Sequence, residues 1–263
     1  MPSDFAGSTA EHYVRFRRDV PDGVLDDLVD RLGVGPDALA IDLGAGTGQV
    51  AVPLAARVGT VVAMEPEPAM AVLLRRRTTA EQVSNVLTLL ASDHDLPALT
   101  MPLGKGACGL VTVANALHWM DAPEVFRACH RLLRPGGGVA VIAHGVPLWL
   151  GETDWARSLR AFLESWTGQP ASGSCGTDDA TRQQREEQLR RAGFADVSLH
   201  VDRYESTVDA DYVIGHLYSA MSESMVPAKR RPQFEDGVRR SLDASRGQPL
   251  VEEVPITVLI GRR

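Results

Sequence analysis

The feature that most limits the possible folds is an alternation of short apolar runs with longer amphipathic stretches. Five runs rich in β-branched residues are each followed by a helical pattern or a Gly/Pro stop: ALAIDL, TVVAM, VLTLLA, GLVTVANA and GVAVIAH. Strands separated by helices pair in parallel, and nearly continuous apolar strands need helices on both faces. The sequence therefore predicts an α/β protein with a doubly wound, mainly parallel sheet.

The alternation lapses after His144, where tryptophans and a phenylalanine mix with a Gly/Ser-rich run. We interpret this stretch as a small helical lid. A helix over about 181–192 follows, with Thr181 and Gln184 as a predicted capping box. Two further strands, VSLHVDRYEST and VEEVPITVLIG, flank another candidate lid helix. We expect a single domain over 1–263 with lid insertions at about 145–180 and 209–230.

Composition excludes several classes of function. The net charge of −7, without a basic block, disfavours a nucleic-acid partner, and no apolar run is long enough to cross a bilayer. Cys108, Cys129 and Cys175 are far apart and form no CxxC pair, which argues against disulfides or a zinc site. We expect a cytoplasmic monomer or homodimer that holds no metal and acts on a small molecule.

The strongest local motif, Asp42 to Gly48, reads DLGAGTG, where the first predicted strand ends and a helix, QVAVPLAARV, is predicted to begin. A glycine-rich turn of this kind brings backbone N–H groups and a helix N-terminus close to a ligand. Glu65 ends the next predicted strand, where a carboxylate can accept hydrogen bonds from both hydroxyls of an adenosine ribose. The pattern predicts a cofactor site.

Glycine spacing distinguishes between two cofactor classes. The glycines fall as GxGxG, whereas a dinucleotide fingerprint needs GxGxxG, and Gln49 follows Gly48. In addition, Asp42 would repel a pyrophosphate but suits the ammonium of a methionine tail. The spacing favours S-adenosylmethionine over a nicotinamide or flavin cofactor, and a bare structural turn is the remaining alternative.

Five segments together resemble the successive motifs of class I S-adenosylmethionine-dependent methyltransferases, in the small-molecule, type 11 branch: IDLGAGTGQVAVPLA, VVAMEPEPAM, SDHDLP, VTVANALHWMD and LLRPGGGVAVI. The resemblance covers roughly Tyr13 to His144. It implies a Rossmann-like sheet of seven strands with the last one antiparallel. It also implies S-adenosyl-L-methionine as cofactor and S-adenosyl-L-homocysteine as product.

The same resemblance implies roles for individual residues. The methionine tail of the cofactor would be held by Asp42, Gly44, Ala45, Gly46 and Gly48, with Ala114 and Asn115 lining the methionine side. Glu65 would bind the ribose, and the adjoining Pro66 would be a further cofactor-binding residue. Ser92, Asp93 and His94 would meet the adenine, and whether Ser92 or Asp93 contacts the base amine stays open because the alignment there shifts by one residue.

The N-terminal segment YVRFR resembles a segment that closes over the cofactor in this branch, which makes Tyr13 and Arg17 candidates for cofactor binding. The alternative is that Tyr13 and Phe16 only pack the first helix against the core. Both interpretations stay open at this point.

His118 is the candidate catalytic residue, because it lies in ANALHWMD just after the fourth predicted strand, at the sheet edge where α/β proteins bind ligands. Its unperturbed pKa near 6.5 lets it accept a proton at neutral pH. The alternative is that His118 only shapes the cofactor pocket. His130 and His144 are assigned no role.

These features predict transfer of a methyl group to a small molecule. The acidic chain and a lid containing several carboxylates suggest a cationic acceptor, such as an amino sugar or aminoglycoside N-methylated in antibiotic biosynthesis. The alternatives are O-methylation of a sugar or polyketide hydroxyl, C-methylation, methylation of a primary-metabolism acid, and a module that binds the cofactor without catalysis.

Overall fold

The computed structural model describes residues 8–171, 177–221, 224–243 and 247–263. Cys175 and part of the first predicted lid insertion lie outside these residues. Seven strands form one sheet: β1 Leu39–Leu43, β2 Thr60–Met64, β3 Val86–Leu89, β4 Cys108–Ala114, β5 Leu133–His144, β6 Asp196–Val208 and β7 Leu250–Arg262. All five strands predicted from the apolar runs, and the two later strands, are confirmed.

The described helices follow the predicted alternation: α1 Ser8–Phe16, α2 Asp22–Leu32, α3 Ala51–Leu54, α4 Pro68–Ala80, α5 Thr100–Leu103, α6 Ala122–Leu132, α7 Asp154–Thr167, α8 Asp179–Arg191, α9 Ala210–Ala220 and α10 Arg231–Leu242. Short 3₁₀ turns lie between some of them, including Asp93–Leu99 and Leu117–Trp119. Within the described residues, none of the helices combines the length and the apolar character needed to span a membrane.

The strand order is β3-β2-β1-β4-β5-β7-β6. Strands β1 to β5 pair in parallel, whereas β7 pairs antiparallel with β5. The predicted antiparallel last strand is therefore confirmed. Because β1 lies between β2 and β4, the chain continues from β1 to β2 and β3 on one side of it and returns to β4 and β5 on the other. The place where the strand order reverses, between β1 and β4, is the switch point of the sheet. Open α/β sheets bind ligands there, at the carboxyl ends of their strands.

Two compact units divide the chain. The sheet unit comprises Arg18–His144, Gly176–Asp202 and Ile256–Arg263, and the helical unit comprises Met1–Arg17, Gly145–Cys175 and Arg203–Pro255. The helices of both predicted lid insertions, α7 and α9, lie in the helical unit together with α1 and α10.

One hydrophobic cluster of the sheet unit packs α6 against residues of β1, β4 and β5. Helix α6 buries Val125, Phe126, Cys129 and Leu132 on one face, as its apolar periodicity predicts. Asp121 begins the helix by accepting a hydrogen bond from the Glu124 backbone N–H at 3.1 Å. The Glu124 carboxylate accepts from Arg127, so the side-chain cap of this helix is Asp121 alone.

The helical unit has a separate aromatic core. Two glycines allow this core to form: a Cβ at Gly215 of α9 would overlap the Phe16 ring of α1, and a Cβ at Gly237 of α10 would overlap the Phe162 ring of α7. Each ring therefore packs directly on the backbone of the neighbouring helix. No side chain larger than hydrogen fits at either position without displacing the ring.

Two predicted helix starts are wrong. The helix expected from Gln49 is only Ala51–Leu54, because residues 47–50 form turns and Pro53 has no backbone N–H to continue the hydrogen-bonding pattern. Helix α8 begins two residues before Thr181. Its cap is Asp178, whose carboxylate accepts from both the backbone N–H and the hydroxyl of Thr181 at 2.8 Å.

Candidate active site

The glycine-rich turn lies directly after β1, at the switch point. Gly44, Gly46 and Gly48 have φ values of +71°, +57° and +94°, in the left-handed region that favours glycine. A Cβ at Gly44 would lie 2.7 Å from the Ala116 Cβ, in the segment that follows β4. The turn therefore packs against its neighbour through backbone and cannot carry a side chain at Gly44.

The backbone N–H groups of this turn bond within the protein. Those of Gly44 and Ala45 donate to the Met64 carbonyl at 2.9 and 3.0 Å, and that of Gly48 donates to the Ala45 carbonyl at 2.9 Å. The N–H of Gly46 donates to Oε2 of Glu65 at 2.8 Å. The expectation that these amides face a ligand is therefore wrong for these four groups, because each already has an acceptor in the turn or at the end of β2.

Glu65 is the carboxylate that ties the ends of β1 and β2 together. It is 6% exposed, and its second oxygen accepts from the Glu67 backbone N–H at 2.8 Å. Burial raises the pKa of Glu65, and the two backbone hydrogen bonds oppose that rise. A carboxylate has about four lone-pair positions, so two remain for further donors. Pro66 follows directly and is exposed.

Asp42 lies beneath the turn, with 2% of its surface exposed. It is opposite Thr112 in the β1/β4 register, and the Thr112 hydroxyl donates to its Oδ1 at 2.7 Å. Burial raises the pKa of Asp42 to about 7, while hydrogen bonds from Thr112 and the Ala51 backbone oppose the rise. The structure thus places Asp42 as an internal support of the turn, and its contact with a methionine ammonium stays a prediction.

Ser92 and Asp93 begin the 3₁₀ turn after β3. The Ser92 backbone and hydroxyl both bond to Oδ2 of Asp95, at 2.9 and 3.1 Å, in a capping box. In the described part of the chain, Asp93 forms no such bond, and it is half-buried, whereas His94 is exposed. This geometry favours Asp93 over Ser92 as the residue that contacts an adenine amine, and the assignment stays a prediction.

Asn115 lies just after β4 and joins the ends of β4 and β5. Its side-chain amide donates to the His144 carbonyl at 3.3 Å and accepts from the His144 N–H at 3.0 Å. Its φ of +49° is unusual for a residue other than glycine. Ala114, the last residue of β4, is half-buried. Asn115 therefore fixes the shape of the sheet edge rather than projecting a free amide toward a ligand.

We expect Asn115→Ala to lower the free energy of unfolding by about 1–3 kcal/mol, because it loses two side-chain hydrogen bonds and keeps a strained φ. Asn115→Gly loses the same bonds but tolerates the φ, so it should be less destabilised. Urea unfolding followed by circular dichroism measures both variants. Equal losses in the two variants would contradict a backbone contribution at this position.

His118 lies in the 3₁₀ turn Leu117–Trp119 after β4 and is exposed. Its ring centroid is 4.9 Å from that of Trp119, which is 65% exposed. Neighbouring protein atoms lower the pKa of His118 by desolvation, and the positive charge of Arg185 lowers it further. The ring is therefore neutral at physiological pH, the state that a proton acceptor requires.

Comparison with known proteins agrees with this geometry. Residues 41–141, from β1 to β5, match the family described as "Methyltransferase domain". Residues 41–141 form a methyltransferase domain.

The relatives differ in how much of the chain they cover. A protein of Dictyostelium discoideum named as a methyltransferase is 32% identical over 143 residues, which are 54% of this chain and 50% of that protein. An uncharacterized methyltransferase of Mycobacterium tuberculosis is 31% identical over 157 residues, 60% of this chain and 58% of its own length. The chain thus spans about half the length of the curated relatives it matches.

Solved structures extend the likeness of fold across the chain. A protein from Anaeromyxobacter dehalogenans described by its structure as a candidate type II methyltransferase has a TM-score of 0.59 at 21% identity, covering 94% of this chain and 96% of the other. Phosphoethanolamine N-methyltransferase 2 of Haemonchus contortus has a TM-score of 0.58 at 14% identity, covering 99% of this chain and 58% of the other. At these identities the likeness concerns the fold.

The methyltransferase domain does not contain all of the predicted cofactor residues. Tyr13 and Arg17 lie outside residues 41–141, in the helical unit, where the Arg17 Nε donates to the Ser219 hydroxyl at 2.8 Å and its guanidinium lies 5.4 Å from the Tyr13 ring centroid. Phe16 packs on Gly215. Packing of the first helix is therefore seen directly, and cofactor binding by Tyr13 and Arg17 stays a prediction.

Sequence reasoning missed Thr112 and Arg185. Thr112 is fully buried opposite Asp42, and only the β1/β4 register could have paired the two. Arg185 lies on α8 and acts on His118 from a distant part of the sequence. The Arg-rich composition of α8 resembles a solvated face, so no local signal distinguishes this arginine from its neighbours.

Proposed function

We propose that this protein transfers the methyl group of S-adenosylmethionine to a small molecule. The observation that carries the proposal is the buried carboxylate of Glu65, held by the Gly46 and Glu67 amides at the switch point of the domain. An adenosine ribose presents two adjacent hydroxyl donors, and Glu65 retains two acceptor positions for them. The Haemonchus contortus enzyme was solved in complex with S-adenosylhomocysteine, which supports the same cofactor here.

The residues of the turn also fit this cofactor better than a dinucleotide. A pyrophosphate needs backbone N–H donors, and those of Gly44, Ala45, Gly46 and Gly48 are already bonded within the protein. S-adenosylmethionine has no phosphate and makes no such demand. In the proposed complex, the glycine backbone leaves room for the methionine part, Glu65 binds the ribose, and Asp93 contacts the adenine.

When bound, S-adenosylmethionine supplies a methyl group that is already activated by its sulfonium. The protein therefore has to orient the acceptor atom, exclude water and accept a proton. His118 is suited to the last task because its lowered pKa keeps the ring neutral. A hydroxyl acceptor would transfer its proton to His118 during attack, and an ammonium acceptor would transfer its proton before attack.

The acceptor atom separates two finer proposals, N-methylation of an amino sugar or aminoglycoside in antibiotic biosynthesis and O-methylation of a sugar or polyketide hydroxyl. The described lid acids do not favour a cationic acceptor, because they have internal partners. Arg157 pairs with Glu152 and Asp154, Arg182 pairs with Asp179, and Glu164 accepts from the Ala171 N–H. The amine proposal rests on the net charge of −7.

Mass spectrometry of products tests the function. The protein would be incubated with S-adenosylmethionine and matched pairs of amino sugars, aminoglycosides and their neutral hydroxyl analogues. A gain of one methyl group confined to amines supports N-methylation, and a gain on hydroxyl analogues supports O-methylation. Cofactor binding without any methyl gain across a broad panel would favour a non-catalytic binding module.

We expect Glu65→Gln to weaken binding of S-adenosylmethionine by about 10- to 100-fold, because the amide replaces one acceptor oxygen with a donor that opposes a backbone N–H. Isothermal titration calorimetry measures the change. Glu67→Gln is the matched control, since its side chain accepts only a weak 3.3 Å bond from the Ala69 N–H and keeps an acceptor oxygen. Equal losses in the two variants would contradict the role of Glu65.

A further inference from the structure

A small cavity lies at the amino-terminal ends of β1 and β4, at the edge of the sheet opposite the glycine-rich turn. Its volume is about 280 Å³, just below the range of roughly 300–1,000 Å³ that holds drug-sized ligands. The five residues of β1 separate the cavity from the turn, a length of about 16 Å in an extended strand. Its walls include Gly33, Gly35, Asp37, Ala38, Gly109 and Arg134, all in the sheet unit.

The cavity is open because glycine stands where a side chain would fill it. A Cβ at Gly109, in β4, would lie 3.3 Å from the Ala38 Cβ and 3.5 Å from the Arg134 Nε. The φ of Gly109 is not positive, so the backbone conformation does not require glycine at this position. A Cβ at Gly35 would meet no atom within 4 Å. The space between the start of β1 and the guanidinium therefore exists because position 109 has no side chain.

Arg134 forms one wall of this cavity and is held in place by the main chain. Its Nη2 donates to the Gly33 carbonyl at 2.8 Å, where α2 ends. This bond uses one of the five N–H donors of the guanidinium. Over the described ranges of the chain, Arg134 forms no ion pair. The guanidinium is thus fixed at the cavity with most of its donors available.

Asp37 brings the opposite charge to the same cavity. It lies in the loop between α2 and β1, and its side chain is exposed. Among the residues that the structure describes, its carboxylate has neither a hydrogen-bond donor nor a cationic partner. Arg134 and Asp37 therefore line one small cavity with opposite charges and do not pair with each other.

We propose that this cavity binds a free α-amino acid, with its carboxylate on Arg134 and its ammonium on Asp37. An anion alone would be attracted by Arg134 and repelled by Asp37, and a cation alone would meet the reverse. A small molecule with both charges satisfies both groups. The planar guanidinium can also bind a carboxylate through two parallel hydrogen bonds.

This ligand is separate from the methyl acceptor, because the cavity lies at the edge of the sheet away from the glycine-rich turn. Its binding does not depend on the proposed methyl transfer. The Gly109 position limits the size of the ligand, since the cavity ends at the backbone of β4.

NMR of backbone amides tests the site in the full chain without cofactor. Glycine and the common L-amino acids would be titrated singly into ¹⁵N-labelled protein at pH 7 and constant ionic strength. We expect at least one of them to give saturable shifts at the amides of Gly35 and Gly109. If none does, or if the shifts occur at Gly44 and Gly46 instead, the proposal is wrong.

Derivatives of the amino acid that binds test recognition of both charges. The N-acetyl derivative lacks the ammonium, and the amide derivative lacks the carboxylate. Each should bind at least about 10-fold more weakly than the parent amino acid, since each loses one charge-assisted hydrogen-bonded group. Equal affinity of either derivative and the parent would contradict recognition of a zwitterion.

Variants test the two charged residues. Arg134→Gln and Asp37→Asn should each weaken binding of the amino acid by about 10- to 100-fold. Arg131→Gln and Asp30→Asn, which change exposed charges close in sequence but outside the cavity lining, are the matched controls and should bind as the wild type does. Unchanged affinity in Asp37→Asn or in Arg134→Gln, or equal losses in the controls, would overturn the proposal.

Gly109→Ala tests the cavity without removing a charge, and it should abolish binding because the new methyl group occupies the space beside Arg134. Circular dichroism would verify that each variant is folded. Calorimetric binding of S-adenosylmethionine should be unchanged in Asp37→Asn. Loss of the amino-acid site and failure of the proposed methyl transfer are therefore measured separately.

Discussion

Raising the pH from about 4 to about 8 should lower the free energy of unfolding of the wild-type protein by about 4 kcal/mol relative to an Asp42→Asn variant. Burial raises the pKa of Asp42 from 3.8 to about 7. Below the unfolded-state value both states are protonated, and Asp42 contributes no pH dependence. Between the two values mainly the unfolded state ionises, so stability falls as pH rises and becomes constant above about pH 8, where both states are ionised.

Wild type and Asp42→Asn are compared by how the free energy of unfolding changes with pH. The absolute values differ for another reason, because Asn places an amide donor against the Ala51 N–H, and this cost does not depend on pH. Urea unfolding at half-unit pH steps measures the difference between wild type and variant. Asp95→Asn is the control with the opposite sign: hydrogen bonds from Ser92 lower the pKa of this exposed carboxylate, so its contribution is lost as pH falls. Parallel curves for wild type and Asp42→Asn would contradict a raised pKa at Asp42.

Gly48→Ala should destabilise the protein by about 2–5 kcal/mol. Two costs add: a φ of +94° that disfavours any residue with a Cβ, and overpacking in the core. The new Cβ would lie 2.5 Å from Cδ1 of Leu74 and 2.8 Å from Cγ2 of Val52, and both side chains are buried. The variant should therefore be among the most damaging single-methyl additions in the domain.

Gly104→Ala separates the two costs, because Gly104 has a similar φ of +87° and its Cβ would meet no atom within 4 Å. We expect this control to lose about 1–2 kcal/mol in free energy of unfolding. Urea unfolding with a common m-value compares the two variants. If Gly48→Ala and Gly104→Ala lose the same free energy of unfolding, Leu74 and Val52 repack without cost. The close contact of position 48 with these two side chains then does not contribute to the loss.

The strands and the position of the glycine turn were predictable from the sequence because both are local patterns. A run such as TVVAM forms a buried strand wherever it lies in a parallel sheet, and glycines at alternate positions allow few other conformations. Helix ends were less predictable. Asp178 competes with Thr181 for the same cap, and the sequence alone does not rank the two.

The chemistry of the site was less accessible than its location. Asp42 and Glu65 were found from their positions at the ends of predicted strands, but their partners depend on strand register and on which backbone groups meet at the sheet edge. The Met64 carbonyl that accepts from the turn has no sequence signature. The charge of Arg185 lowers the pKa of His118 from α8, an element distant in sequence.

The hydrogen bonds inside the glycine turn bear on how the protein chooses among the adenine compounds of a cell. ATP and the dinucleotides share the adenosine that Glu65 would bind, and they are abundant. Their phosphates would approach a turn where Gly44, Ala45, Gly46 and Gly48 have no N–H left to donate. On the proposed role of Glu65, the main chain would thus disfavour these competitors before any side chain contacts the methionine part.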